Sequence, residues 1–445
     1  MYEAIVSRIR TYSHPDADRI QLGQCQGYQV VVGLDIEDGT LGVFFPSDGA
    51  LTDEFCKANN LYPVYDEEGK RIGGGFIEPK NRRVKAQNFR GQKSEGFWVP
   101  LSYFAYTGFP LESFQEGQAF TSINKHDICY KYVSKKTQEA LNKQGTSNRR
   151  ELLQLPIHLD TKHYRYRKED IPHGAKVYVT SKLHGTSGRT AYAQVEKEYG
   201  WFKKIKKYKF LTDWLNKLNI PTTYKTYEIV TGSRRVIKQD DKGCGWYGND
   251  SFRHSASKLL ASYLKKGESV YYEIVGYTED GSKIQPDMNP QAVSKDFAKK
   301  WGKSMSWDYG CLPGEFKIFI YNWMLSTETG TQYSYPWEYI KKRVKSITDA
   351  KVQLVPEVWE PIEITSIDSV QYSCDSDGNE LLLDTLIEEL TEQPSSVGKC
   401  YQEGVCLRIE YSGELWGILK NKSFPFCLME QSNKDNEVLD IEEVG

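Results

Sequence analysis

A lysine that closes a strand and precedes a glycine turn is placed to act as an amine nucleophile, and Lys182-Leu183-His184-Gly185-Thr186-Ser187 supplies that arrangement. The preceding run, Lys176-Val177-Tyr178-Val179-Thr180, alternates apolar and polar residues and predicts a half-buried strand. Such a lysine sits at a sheet edge with its amine aimed into a cleft. Amines attack only when neutral, and neighbouring cations favour that form. With 7 His and 36 Gly in 445 residues, Lys-x-His-Gly arises by chance in roughly one chain in twenty of this composition, so the tetrapeptide alone decides little.

The downstream residues narrow the chemistry. Ser269-Val270-Tyr271-Tyr272-Glu273-Ile274-Val275-Gly276 carries a carboxylate inside a β-prone run. Residues 316–323 predict another strand, in which Tyr321 can stack on a base, with Phe319 the alternative if the register slips by two. Glu403-Gly404-Val405-Cys406-Leu407-Arg408 sets a second carboxylate at a strand start. Leu419-Lys420-Asn421-Lys422 carries two alternating lysines, which lie on one face of a strand. Lysine, carboxylate, aromatic, carboxylate and paired lysines, in that order, are residue types that nucleotide transfer requires.

This order resembles the covalent nucleotidyltransferases, the group of polynucleotide ligases and mRNA capping enzymes. Lys182 to Gly185 matches their motif I, which reads Lys-x-Asp-Gly or Lys-x-His-Gly. Glu273 matches motif III, Tyr321 motif IIIa, Glu403-Gly404 motif IV, and Lys420 with Lys422 motif V. Thr231-Gly232-Ser233-Arg234-Arg235 resembles motif Ia, with its arginine at Arg234 and Arg235 the poorer choice. His184 stands where most DNA ligases and capping enzymes carry aspartate, which points toward RNA ligases that seal nicks in duplexes. The stretch from Thr180 to Thr186 is most similar to the Deinococcus/Naegleria type of that group.

The N-terminal part agrees. Tyr28 to Gly33 and Thr40 to Pro46 predict short strands between Asp/Gly turns, the signature of a small β-barrel. His14 to Ile20, Gly27 to Val31, Arg82 to Ala86 and Arg90 to Gly96 resemble the oligonucleotide-binding (OB) domain that precedes the transferase domain in this ligase type. A related stretch occurs in tRNA-binding barrels. By itself this part therefore reads as a nucleic-acid-binding barrel.

The expected fold is α+β. An OB-type β-barrel spans 1–120 and a linker 121–155. A nucleotidyltransferase domain of antiparallel sheets with flanking helices spans 156–425, with an insertion at about 195–225, and 426–445 forms an acidic tail in which Asn433 to Gly445 frays. Residues 255–266 and 337–347 predict amphipathic helices. The insertion interleaves Lys203, Lys204, Lys206, Lys207 and Lys209 with Trp201, Phe202, Tyr208 and Phe210. Such a mixture suits a phosphate backbone and exposed bases, or else a solvated helical face.

The resemblance implies that Lys182 attacks the α-phosphorus of ATP to form lysyl-AMP, which passes to the 5′-phosphate of an RNA end before a 3′-OH displaces AMP. Glu273 and Glu403 would hold the waters of Mg²⁺ or Mn²⁺, Lys420 and Lys422 the α-phosphate, and Tyr321 the adenine. Arg234 would contact nucleic-acid phosphate or ribose, and His184 is either catalytic or a structural histidine. The segment His158-Leu159-Asp160-Thr161 also resembles one ahead of motif I and is assigned no chemistry. Arg82, Arg83, Lys85 and Arg90 are candidate duplex-phosphate contacts, weighed against ordinary solvated charges. The expected partner is nicked duplex RNA with 3′-OH and 5′-phosphate ends, bound by a monomer.

Three alternatives stand beside this reading. A capping guanylyltransferase or a DNA ligase normally has a further barrel after motif V, for which Ser423 to Gly445 is too short. An RNA-binding protein with a decayed transferase domain would need a broken motif.

Composition bounds the rest. With 58 Lys+Arg against 60 Asp+Glu the net charge is −2, so any nucleic-acid surface is a local patch rather than a polycationic whole. The 9 cysteines form no CxxC pair, which argues against a disulfide framework or a zinc site and for a reducing compartment. No apolar run reaches transmembrane length, and the N-terminus carries no signal-peptide charge pattern. A cytoplasmic protein without a membrane partner is expected.

Overall fold

The structure, a computed structural model, describes residues 2–144, 152–157, 161–234, 236–238, 251–364, 371–372 and 381–438. Residues His158 to Asp160, Arg235 and 439–445 lie outside the described residues. The whole is a mixed α/β fold built on antiparallel sheets.

Two sheets organise the part after residue 160. The first runs Lys162–His163, Glu414–Lys422, Gly404–Tyr411, Lys176–Lys182, Ile362–Glu363, all neighbours antiparallel except the first pair. The second runs Ile237–Lys238, Thr223–Gly232, Thr186–Glu198, Glu268–Gly276, Phe316–Ser326, Gln332–Ser334, with Val352–Leu354 parallel to Phe316–Ser326. The strand Lys176–Lys182 is buried along almost its whole length because both of its faces are covered. Val177 and Val179 pack with Leu386 and Ile387 of the helix Leu383–Thr391, while Tyr178 belongs to the core shared with the second sheet, where Ile274, Ile318 and Trp323 lie. The helices Ser251–Ala261 and Trp337–Lys345 cover this core with Phe252, Leu260, Trp337 and Ile340.

The N-terminal part forms a four-stranded sheet, Gly96–Pro100, Leu41–Pro46, Ala4–Arg8, Ala119–Phe120, and a three-stranded one, Arg10–Ser13, Ile20–Cys25, Tyr28–Gly33. Among the described residues these ladders do not close into a barrel. At the edge of Tyr28–Gly33 only isolated bonds reach the segment before Gly96–Pro100: the Glu95 amide donates to the Gln29 carbonyl at 2.8 Å, the Gln29 side chain to the Lys93 carbonyl at 2.8 Å, and Ser94 Oγ accepts from the Val31 amide at 3.1 Å.

Two boundaries differ from expectation. Within 121–155, where a linker with some helix is expected, Lys135–Gln144 is helical but Cys129–Lys131 pairs with Gly49–Leu51, so the first part of that stretch is a sheet partner of the N-terminal strands. Phe424–Asp435 is a helix that takes up the first half of the expected acidic tail and the first residues of the stretch expected to fray. Ser423 caps it through the Phe426 amide, Pro425 occupies its first turn, and Phe426 and Met429 enter the core.

That helix also clamps the two parts together, and it takes up two of the cations expected to grip a duplex. Arg83 is buried, with Nη1 2.6 Å from Asp435 Oδ1 and its guanidinium over the Tyr132 ring, and Lys85 Nζ lies 2.9 Å from Asp435 Oδ2. Gln431 exchanges two hydrogen bonds with the Ala86 backbone. Arg83 and Lys85 are therefore interface residues, because the acid opposite them comes from this chain. Arg82 donates to the Leu51 carbonyl and Tyr130, and Arg90 to the Asp16 carbonyl.

Candidate active site

Strand register brings the motifs together. Lys182 lies opposite Gly404, and Gly404 in turn opposite Lys422, so the first and last motifs stand level across three strands with Glu403 immediately before them. Gly404 is required by closeness: a Cβ there would sit 2.0 Å from the Asn421 carbonyl oxygen. Gly185 does the same at the turn after Lys182, where a Cβ would come within 2.4 Å of the Ile274 oxygen and 2.9 Å of Glu273 Cγ. The glycine thus lets the lysine turn press against the strand that carries Glu273.

Glu403 is fully buried and organises the cations around it. Lys182 Nζ is 2.6 Å and Lys422 Nζ 3.8 Å from its Oε1, and His184 Nδ1 is 3.7 Å from its Oε2. A buried carboxylate is tolerated only with such partners. Lys422 also bonds both oxygens of Glu430 at 3.1 Å, and Lys434 links that helix to Asp48 of the N-terminal part at 2.5 Å. His184 is buried edge-on between Trp307 and Phe426, and its amide donates to the Tyr309 hydroxyl at 2.7 Å.

Burial, with the charge of Glu273 next, pushes the Tyr321 phenol far above its ordinary range, so the ring at the cleft wall is neutral. Its hydroxyl lies 3.2 Å from Ser187 Oγ. Phe319, the alternative, is in the core. Cys406 lies between Thr180 and Lys420 in the register, and burial raises its thiol to about 11 despite the lysines beside it. His163, opposite Lys420, is held well below the ordinary imidazole value by burial and then by Arg165, Lys420 and Lys422.

Lys182, Arg234, Glu273, Tyr321, Lys420 and Lys422 all line one cleft of about 1170 Å³. Glu403 lies against Lys182, and His184 is buried beside it. The N-terminal part contributes Tyr28, Asp48 and Glu95 to the same cleft.

Several residues that shape the site carry no local signal. Arg253, buried in the helix Ser251–Ala261, donates to the Ser187 carbonyl and Thr186 Oγ1, each at 2.6 Å, and so fixes the start of the strand after the lysine turn. Gln285 holds the Gly185 carbonyl, and the Tyr309 hydroxyl accepts from the His184 amide of the same turn. None of these stands in a motif.

The donor set also bears on a divalent metal. Among the described residues no three His, Cys, Asp or Glu gather as a ligand cluster. Glu273 and Glu403 both act on the Tyr309 hydroxyl and the Cys406 thiol, so the two carboxylates share one neighbourhood. Two carboxylates suit an ion that keeps its waters and is completed by substrate phosphates, not one enclosed by protein.

No family model and no curated protein matches this chain in sequence. Solved structures do match it. A Naegleria gruberi RNA ligase mutant with AMP and Mn aligns at 15% identity and a TM-score of 0.55, over 95% of this chain and 97% of that one. Another mutant of that ligase with ATP and Mn gives 14% and 0.56, over 97% and 99%, and the ligase with PPi gives 15% and 0.53, over 98% of each. The chain has the fold of these RNA ligases. The likeness runs through both the N-terminal strands and the two later sheets, and its source agrees with the ligase type that the stretch from Thr180 to Thr186 resembles. No helix among the described residues is long and apolar enough to cross a membrane.

Proposed function

We propose that this protein is an ATP-dependent RNA ligase that joins 3′-OH and 5′-phosphate ends at nicks in duplexes through a lysyl-AMP intermediate. The observation that carries the reading is Lys182 Nζ held 2.6 Å from the buried Glu403 in a cleft that also presents Glu273, Tyr321, Lys420 and Lys422. The shared fold supports the choice of ligase over other transferases.

In the first step the lone pair of Lys182 Nζ bonds to the α-phosphorus of ATP. The bond to the α,β-bridging oxygen breaks, and pyrophosphate leaves with that electron pair. The proton shed by nitrogen has Glu403 Oε1 as an acceptor within 2.6 Å. Lys420 and Lys422 offset the charge that develops on the α-phosphate oxygens. The neutral ring of Tyr321 stacks on adenine. When bound, Mg²⁺ or Mn²⁺ would offset phosphate charge, and Glu273 and Glu403 are the carboxylates that would hold it.

In the second step an oxygen of the RNA 5′-phosphate attacks the same phosphorus. The phosphorus–nitrogen bond breaks, its electron pair leaves with nitrogen, and Lys182 recovers its amine by taking back a proton from Glu403. The 3′-OH oxygen then attacks the 5′-phosphorus, AMP departs with the bond pair, and the hydroxyl proton passes to solvent. Arg234, at the cleft wall, binds nucleic-acid phosphate or ribose. The N-terminal strands are read as an opened OB-type unit. It shares the cleft and so acts on adenylation as well as on the nick.

The test uses labelled ATP and GTP, then a panel of nicks with RNA or DNA on each side. A protein–AMP adduct with ATP only, and sealing that requires ribose on the 3′-OH strand, are expected. An adduct with GTP points to a capping enzyme, equal sealing of all-DNA nicks to a DNA ligase, and no adduct at all to an RNA-binding protein.

A further inference from the structure

The hairpin Thr186–Glu198/Thr223–Gly232 begins beside the cleft, at Ser187, and runs away from it. At about 3.3 Å per residue its far end lies roughly 35 Å from Ser187. There it carries two short helices, Gly200–Ile205 and Lys209–Lys217. From Tyr199 to Ile220 this tip has the lysines 203, 204, 206, 207, 209 and 217 against the single acid Asp213, on a chain whose overall charge is −2. Positive charge is concentrated here.

The apolar residues of the tip divide into two sets. Leu215 is buried and Leu211 half-buried, one turn apart, so most of the leucine stripe of the second helix packs inward, and Leu218 at its end is 52% exposed. The rings are left outside: Phe210 is 70% and Trp214 56% exposed, again one turn apart, with Trp201 and Tyr208 also exposed. Tyr199 and Trp201 stack on each other at 6.1 Å with an interplanar angle of 18°, and Tyr224 joins them at 5.0 Å from Tyr199. A helix that enters a lipid surface presents its leucines along with its rings. This tip keeps Leu211 and Leu215 inward, and its exposed apolar surface, Leu218 and Ile220 apart, is flat rings interleaved with lysines, the combination that takes successive bases and their phosphates.

We propose that this tip is a second nucleic-acid site, which binds single-stranded RNA without sequence preference by base stacking on Phe210, Trp214 and Trp201 and phosphate contact through Lys203, Lys204, Lys207 and Lys209. It holds the part of a substrate that extends beyond the joined ends. The choice of RNA as the polyanion rests on the function proposed above; the charge and the rings do not.

The test measures binding of the full-length protein to a fluorescent single-stranded RNA of about 20 nucleotides, long enough for such a site. No ATP is present, and a salt series is run for the wild type and two variants. K203Q/K204Q/K207Q/K209Q should weaken binding and flatten the slope of log affinity against log salt by up to about 3, at roughly 0.7 per lost phosphate contact. F210A/W214A should weaken binding about tenfold or more with the salt slope unchanged. Protein–AMP formation from labelled ATP should stay at the wild-type level in both. Wild-type affinity in both variants overturns the proposal, and so does binding of phosphatidylserine vesicles in preference to RNA. Because the binding assay needs no ATP, loss of the adduct in the wild type would count against the ligase reading and leave this one standing.

Discussion

Arg82-Arg83-Val84-Lys85 and Lys420-Asn421-Lys422 are both short basic runs, and they end in different situations. At the interface Arg83 and Lys85 share Asp435, and Arg165 lies 2.9 Å from Glu95 and 2.7 Å from Glu388. In the cleft, Lys182 and Lys422 share the buried Glu403, Lys422 also bonds Glu430, and Lys420 lines the same space. Cations whose acids arrive from another part of the chain, with protein packed over them, hold a structure together. Lysines that flank a buried carboxylate and face a cleft of about 1170 Å³ suit a site that receives phosphates. Residue type does not distinguish the two cases; what lies in front of the cation does.

The largest effect that tests this contrast is at Lys182. Lys182→Met should lower protein–AMP formation by more than about a thousandfold, since the nitrogen that forms the bond is gone. An undiminished adduct in a labelled-ATP assay would sink the assignment. Glu403→Gln should follow, at about a hundredfold or more in the same assay, because a neutral amide leaves Lys182 and Lys422 without their shared anion. Next, Lys422→Met and Lys85→Met compare the two clusters directly. About tenfold to a hundredfold loss of adduct formation is expected for the first and less than about twofold for the second. Equal losses would erase the distinction drawn here.

The interface predictions are about stability. Arg165→Ala removes the cation between two acids and should lower unfolding free energy by about 3 kcal/mol in a urea titration. Arg83→Ala should cost about 1–2 kcal/mol, since its partner Asp435 is partly exposed. The smallest effect is in pH. Burial alone would raise the Glu388 carboxyl, but Arg165 and Lys93 hold it below its ordinary value. A carboxyl lowered in the fold stabilises above its unfolded value, near 4.3, and loses that contribution as pH falls through its lower folded value. The stability gap between wild type and Glu388→Gln should therefore be full at pH 6 and shrink below about pH 4. A gap that is constant across that range would show that the charge of Glu388 contributes nothing.

Much of the site was legible because strands advertise themselves by β-branched and aromatic composition and, where half-buried, by a period of two. Glu273, Tyr321, Glu403, Lys420 and Lys422 each stand within or beside a run whose β-prone residues or alternation predict a strand, and each of those runs is a strand here. The choice of Tyr321 over Phe319 was not legible from the run itself, since both positions would share a face of a regular strand; a register shift leaves Tyr321 unpaired between Ile320 and Asn322, with its ring at the cleft and Phe319 in the core. Arg253 and Tyr309 were invisible because they reach the lysine turn from a helix and a loop far along the chain, and pairing at that distance leaves no local mark. The helix Phe424–Asp435 was passed over because the acidic residues that follow it dominate the composition of the last stretch, although Ser423 and Pro425 form a start signal.

What the sequence determined by itself was the inventory and order of reactive groups and the strands that carry them, since periodicity and turn chemistry are local properties. What only the tertiary structure decided was which cations stand together around Glu403 and which are taken up by Asp435, Glu95 and Glu388. It also decided that the N-terminal ladders stop short of a barrel. Those outcomes depend on strand register and on which carboxylate arrives from a distant part of the chain, and the energy of a charge is set by its nearest opposite rather than by its neighbours in sequence.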